Sequence, residues 1–135
     1  SRGLIMGLTR DSDWRDLVRA TIESVAYQTS DLFLSMRKDG LNPKSVKVDG
    51  GMVSNNWFVQ FLSEILKIKI TRSKINETTA LGAAYMAGYQ TGIYRSLSDI
   101  KQNWKKDRDF KPKFNKSYRN KLLQGWQQAI KKTLA

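Results

Sequence analysis

Between Asp11 and Arg37 apolar residues recur at steps of three, four and seven, at Leu17, Val18, Ile22, Val25, Leu32, Phe33 and Met36. This spacing predicts a long helix with one face in a core. Asp11, Ser12 or Asp13 can cap its start, Gly40 can close it, and Asn42-Pro43 blocks continuation. Ser45-Val46-Lys47-Val48 then alternates like a short strand and stops at Asp49-Gly50-Gly51. A second helix, capped by Ser54 or Asn55, carries Phe58, Phe61, Leu62, Ile65 and Leu66 at helical spacing. Lys67-Ile68-Lys69-Ile70-Thr71 alternates as a second strand.

After the polar stretch 72–77, a third helix is expected from Thr78 to Gln90, with a threonine hydroxyl capping its start and a stop at Gly92. Its small residues, Ala80, Gly82, Ala83, Ala84 and Ala87, predict close packing. Periodicity is weak over 93–114, apart from a short helical piece near Leu97 to Asn103, and Pro112 ends any regular element there. A terminal helix follows from about Lys116 to Leu134, within 115–135, turning Leu122, Leu123, Trp126, Ala129 and Ile130 inward.

Helix, strand, helix, strand, helix, helix argues for an α/β class, helix-rich with few strands. Two strands are too few for an independent sheet, so the remaining strands are expected from a preceding part of the polypeptide. The 135 residues suffice for one domain or a piece of one, and not for two cores.

Composition narrows the chemistry. The chain has no cysteine and no histidine, which removes thiolate zinc sites, thiol nucleophiles and the commonest general base. No apolar run approaches the roughly 20 residues of a membrane span, and no basic-then-apolar leader is present, so a cytoplasmic address is expected. Net charge is +12, of which +3 falls in residues 1–100 and +9 in residues 101–135. The basic segment interleaves lysines with Trp104, Phe110, Phe114, Tyr118 and Trp126. Such a pattern suits a nucleic-acid surface or, more simply, a solvated lysine face with aromatics turned inward. Arginine is sparse there, which disfavours base readout. Asp107-Arg108-Asp109 reads as surface charge rather than a magnesium site.

The constellation that suggests chemistry is Val48-Asp49-Gly50-Gly51-Met52-Val53-Ser54-Asn55-Asn56. A strand ending in two glycines before a capped helix leaves amides open to a phosphate or ribose, with Asn55 and Asn56 offering amide donors and acceptors. A plain tight turn with a helix cap has the same sequence. Neither G-x-G-x-x-G nor G-x-x-x-x-G-K-[ST] is present.

Longer motifs bear on that choice. Gly3-Leu4-Ile5-Met6-Gly7-Leu8, seven residues, Asp16-Leu17, two residues and Ala20-Thr21-Ile22-Glu23 meet every constrained position of a signature of the FGGY carbohydrate kinases. The blocks Ile5 to Arg10, Glu23 to Thr29 and Thr78 to Gly88 are similar to its glycerol kinase branch in particular. Over essentially its whole length, 1–135, the chain resembles the carboxy-terminal domain of that family. Its glycine turn resembles the adenosine-binding turn of the wider sugar kinase, actin and Hsp70 superfamily.

The resemblance implies part of an actin-like ATPase domain of ribonuclease H-like type, in a homo-oligomeric enzyme that transfers phosphate from ATP to glycerol. It implies that Gly51 contacts the nucleotide through its backbone and Asn55 through its side chain, while Asp49 and Gly50 shape the turn. Asp49 is expected to accept hydrogen bonds from turn amides rather than serve as a base. Glycerol, the catalytic aspartate and the Mg2+ ligands are expected outside this chain, which would hold no catalytic residue and no metal and be inert alone. A related FGGY kinase acting on xylulose or gluconate is the alternative, and a basic nucleic-acid module a more distant one.

Overall fold

A computed structural model describes residues 3–75 and 77–134. Helix α1 spans Trp14–Lys38, strand β1 Ser45–Val48, helix α2 Asn56–Leu66, strand β2 Lys69–Ser73, helix α3 Thr78–Gln90, helix α4 Leu97–Gln102, strand β3 Lys106–Phe110 and helix α5 Lys116–Thr133. Expectations for Ser1-Arg2, for Asn76 in the polar stretch and for Ala135 at the end of the terminal helix fall outside the described residues.

Asp13 is the residue that caps α1. Its carboxylate accepts from the amides of Arg15 and Asp16, while Asp16 reaches back to the Asp13 amide, a reciprocal capping box. Gly40, at φ +85°, lets the chain leave the helix, and the Leu41 amide returns to the Met36 carbonyl at 2.9 Å. Only part of the expected inward face is covered. Phe33 is buried and Ile22, Val25 and Met36 pack against the core, but Leu17, Val18 and Leu32 stay exposed. Ala26, Tyr27 and Ser30 are buried instead, because α2 lies along that side.

Helix α2 is the centre of the core. It is packed between α1 and the sheet, so every position from Phe58 to Leu66 except Gln60 is buried. Each fully buried large side chain there contributes roughly 1.5–3 kcal/mol. Lys67, in the left-handed region at φ 56°, closes α2 with its amide on the Ser63 carbonyl. That turn uses up Lys67, so β2 starts at Lys69 and runs to Ser73, two residues later than its alternation suggests.

The sheet has three strands in the order β1-β2-β3. The β1–β2 pair is parallel, with Val48 opposite Arg72, and β2–β3 is antiparallel, with Ile70 opposite Phe110 and a bulge at Arg72/Ser73. Strand β3 corrects the expectation of only two strands, and it carries Asp107-Arg108-Asp109, of which Asp107 and Arg108 stay exposed. Asp107 pairs with Arg72 and Asp109 accepts from Thr71 at 2.7 Å, so the acidic residues stitch strands together.

Helix α3 corrects a second expectation. Its N-cap position, Glu77, makes no side-chain capping bond, and of its small residues only Gly88 is buried, against Tyr94. Ala80, Ala83, Ala84 and Ala87 are exposed, because no described element stands opposite them. In α5, Leu122, Leu123 and Trp126 face the core as expected, and Trp126 stacks on Tyr27 with centroids 5.5 Å apart. The aromatics of the basic segment are likewise turned inward at Phe110, which is buried, and Phe114, edge-on to Phe61 and Tyr118. No helix among the described residues is long and apolar enough to cross a membrane.

Candidate functional site

The glycine turn begins where β1 ends. Val48 is held in the ladder opposite Arg72, and the chain then passes through Asp49 to Gly50, at φ 91° and ψ 172°. That combination is open almost only to glycine, so Gly50 is required by the backbone itself. Gly51 to Ser54 then form a single 3-10 turn. Its middle is anchored by the buried Val53, whose amide reaches the Gly50 carbonyl at 3.3 Å, while Gly51, Met52 and Ser54 face outward.

Gly51 differs from Gly50. Its φ is ordinary, and a methyl group added there would meet no atom within 4 Å. Nothing in the described residues demands glycine at that position. The first amides of such a turn have no partner within it, and those of Gly51 and Met52 find none elsewhere among the described residues. The turn therefore presents bare backbone donors at an exposed surface.

Asn55, rather than Ser54, caps α2. Its Oδ1 accepts from the Trp57 amide at 3.0 Å and the Phe58 amide at 3.2 Å. Ser54 instead donates from Oγ to the Gly51 carbonyl at 2.7 Å and tightens the turn. Because the cap occupies Oδ1, the Nδ2 group of Asn55 is left as an outward donor, without a partner among the described residues. Beside Asn55 a groove of about 360 Å³ lies between α1 and α2, lined by Trp14, Val18, Arg19, Ile22 and Trp57. Trp57 stacks on Phe61 at 5.1 Å, and the Arg19 guanidinium sits 5.8 Å from its ring, held protonated by its hydrogen bond and charge pairing with Glu23.

Asp49 does not behave as expected. It is exposed and accepts no hydrogen bond from turn amides among the described residues, because the positive φ of Gly50 carries the following amides away along the 3-10 turn. The structure thus brings Gly50, Gly51 and Asn55 into one short surface, with Asp49 at its edge.

Arg72 is the residue that sequence reasoning missed. Its Nη1 donates to the carbonyls of Val53 at 2.7 Å and Ser54 at 3.3 Å, and its Nε and Nη2 both reach Asp107 Oδ2 at 2.7 Å. The one available signal was its type, an arginine directly after the expected strand 67–71, since only a planar fork serves such divergent acceptors.

Known proteins share both the sequence and the fold. The profile of the FGGY family of carbohydrate kinases, C-terminal domain, matches residues 1–91. Glycerol kinase 1 of Pseudomonas aeruginosa is 48% identical over 132 residues, covering 98% of this chain and 27% of that protein. A glycerol kinase of a Marinomonas species is 50% identical over 130 residues, covering 96% and 26%. Among solved structures, Plasmodium falciparum glycerol kinase with ADP superposes with a TM-score of 0.82 at 35% identity, over 96% of this chain and 26% of that one. A Rhodospirillum rubrum xylulose kinase shares the fold, with a TM-score of 0.79 at 19% identity, over 99% of this chain and 28% of that one. The chain thus spans about a quarter (26–27%) of the length of these glycerol kinases, and its α/β fold is part of an actin-like ATPase domain. The chain belongs to the FGGY family of carbohydrate kinases, of whose C-terminal domain residues 1–91 carry the profile.

Proposed function

We propose that this chain forms one wall of the adenine-nucleotide site of an ATP-dependent glycerol kinase, which converts ATP and glycerol to ADP and glycerol 3-phosphate. The observation that carries the reading is Gly51, exposed, of ordinary φ and with open space where a side chain would be. With no Cβ there, a ligand can lie directly against the backbone, where the amides of Gly51 and Met52 have no partner among the described residues. Support comes from relatives of 48–50% identity that are glycerol kinases, and from the Plasmodium falciparum glycerol kinase, whose structure was solved with ADP.

The chemistry assigned to these residues is binding and orientation. Amides of Gly51 and Met52 offer donors to anionic oxygen, and Asn55 Nδ2 offers a directional donor fixed by its own cap. Gly50 supplies the bend, with Asp49 flanking it. Phosphoryl transfer depends on such positioning and on charge neutralisation. Kinases of this type also use Mg2+, and the residues here do not fit it. Among the described residues no three acidic side chains gather into a site for a metal ion, and Asp49 stands alone. We assign the metal ligands, the catalytic base and the glycerol pocket to the rest of the enzyme, and no catalytic residue to this chain. On the same reading residues 92–135 complete the carboxy-terminal domain, and the enzyme is a cytoplasmic homo-oligomer without a nucleic-acid partner.

The test is a coupled assay on the polypeptide that carries this chain at its natural length. Gly51→Val should raise KM for ATP at least tenfold and leave KM for glycerol unchanged. An unmoved KM for ATP would remove Gly51 from the site, and activity on xylulose or gluconate but not glycerol would change the substrate.

A further inference from the structure

We propose that Arg72 is a positioning residue for the nucleotide turn, holding both of its ends from β2 and itself held by Asp107. The inference rests on the nucleotide reading of the turn given above.

The backbone of Arg72 pairs with Val48, the last strand residue before the turn. Its side chain crosses to the other end and takes the carbonyls of Val53 and Ser54. One residue thus fixes where the turn begins and where it finishes. Between those points lie the two glycines, the most freely rotating residues available, and ordering them when a ligand arrives costs binding energy. A bracket already in place removes that cost beforehand.

The bracket is rigid for identifiable reasons. The Arg72 side chain is only 13% exposed. Its Cζ lies 5.4 Å from the centre of the buried Phe110 ring. Two of its nitrogens are taken by Asp107 and a third by the two carbonyls, which leaves little of the guanidinium for a ligand. Asp107 also balances its charge. Arg72 is therefore set to act through the turn and not as a direct phosphate contact. Two of the turn's carbonyls are drawn toward the sheet, which leaves the amides of Gly51 and Met52 to dominate the outward face.

The experiment compares Arg72→Lys, Asp107→Asn and Gly51→Val in the natural-length protein, reading Kd for ADP by calorimetry and KM for ATP and glycerol. Lysine keeps the charge but cannot bridge both carbonyls and Asp107, and Asp107→Asn loosens Arg72 from an edge position that is 40% exposed, where the fold tolerates change. Both should weaken ADP binding and raise KM for ATP by about tenfold, with KM for glycerol unchanged. If Arg72→Lys does not fold, Asp107→Asn decides alone. Equal rises in the two KM values, or unchanged ADP binding in Asp107→Asn while Gly51→Val is impaired, overturn the positioning role. If Gly51→Val also binds ADP normally, the nucleotide reading of the turn falls, and the role of Arg72 with it.

Discussion

The indole Nε1 of Trp126 donates a 2.6 Å hydrogen bond to Oδ2 of Asp31, joining the last helix to the first across most of the chain. Gln127 donates to the other carboxylate oxygen at 3.1 Å, and the Trp126 ring lies against Tyr27, itself edge-on to Phe61 of α2. This cluster is one of the points at which α5 is fastened to the core. Trp126→Phe keeps an aromatic ring but removes the donor, and should cost about 1–2 kcal/mol in chemical denaturation. A change below about 0.3 kcal/mol would show that this hydrogen bond does not help to hold α5.

The two glycines of the turn should separate cleanly. Gly50→Ala forces a side chain into a backbone region that only glycine adopts readily, and should lower stability by about 1–3 kcal/mol. Gly51→Ala meets neither strain nor neighbouring atoms, and should change stability by less than about 0.5 kcal/mol. Thermal unfolding of both variants in parallel checks the contrast, and equal losses would mean that Gly51 is also structural.

Buried Glu64 organises the chain after β3. Its Oε2 accepts from the amides of Lys113 and Phe114 at 2.5 and 2.7 Å, and its Oε1 from Gln60 Nε2 at 2.6 Å. Glutamine at this position presents one oxygen and one donor group to three donors. Glu64→Gln should therefore cost about 2 kcal/mol and speed hydrogen exchange at Lys113 and Phe114. Unchanged exchange at those two amides would contradict this anchoring role.

Burial, then the adjacent Glu23 charge, then the hydrogen bond it donates to Glu23 push the Tyr27 phenol well above its ordinary value of 10.0. The folded state thus holds this proton more tightly than the unfolded chain does. The corresponding stability is complete below about pH 10 and is lost as pH rises toward the folded-state value. Relative to Tyr27→Phe, the wild-type advantage should shrink above that pH, and a constant difference would refute it. At the acid end, Thr71 and Lys106 hold Asp109 below the usual carboxylate range, a contribution present above about pH 4 and lost as pH falls.

Local signals account for what the sequence reveals. The cap at Asp13, the stop at Gly40 and the spacing of Phe58, Phe61, Leu62 and Ile65 each lie within a few residues of the element they define. Gly50, Gly51 and Asn55 were readable for the same reason, since strand, double glycine and cap are contiguous. Strand β3 was not readable, because Lys106-Asp107-Arg108-Asp109 has no apolar alternation and becomes a strand through partners on β2. Arg72 escaped notice similarly, with its acceptors nineteen and thirty-five positions away at Val53 and Asp107. The exposed small residues of α3 mark the same boundary from the other side: their spacing predicts packing, and no described element supplies the surface.

The mixed sheet makes β2 the shared spine of two otherwise separate neighbourhoods, one parallel and one antiparallel. Amides of β2 should be the slowest in the domain to exchange with solvent, and a fluctuation that frees this strand must release the segments on both sides in one cooperative event.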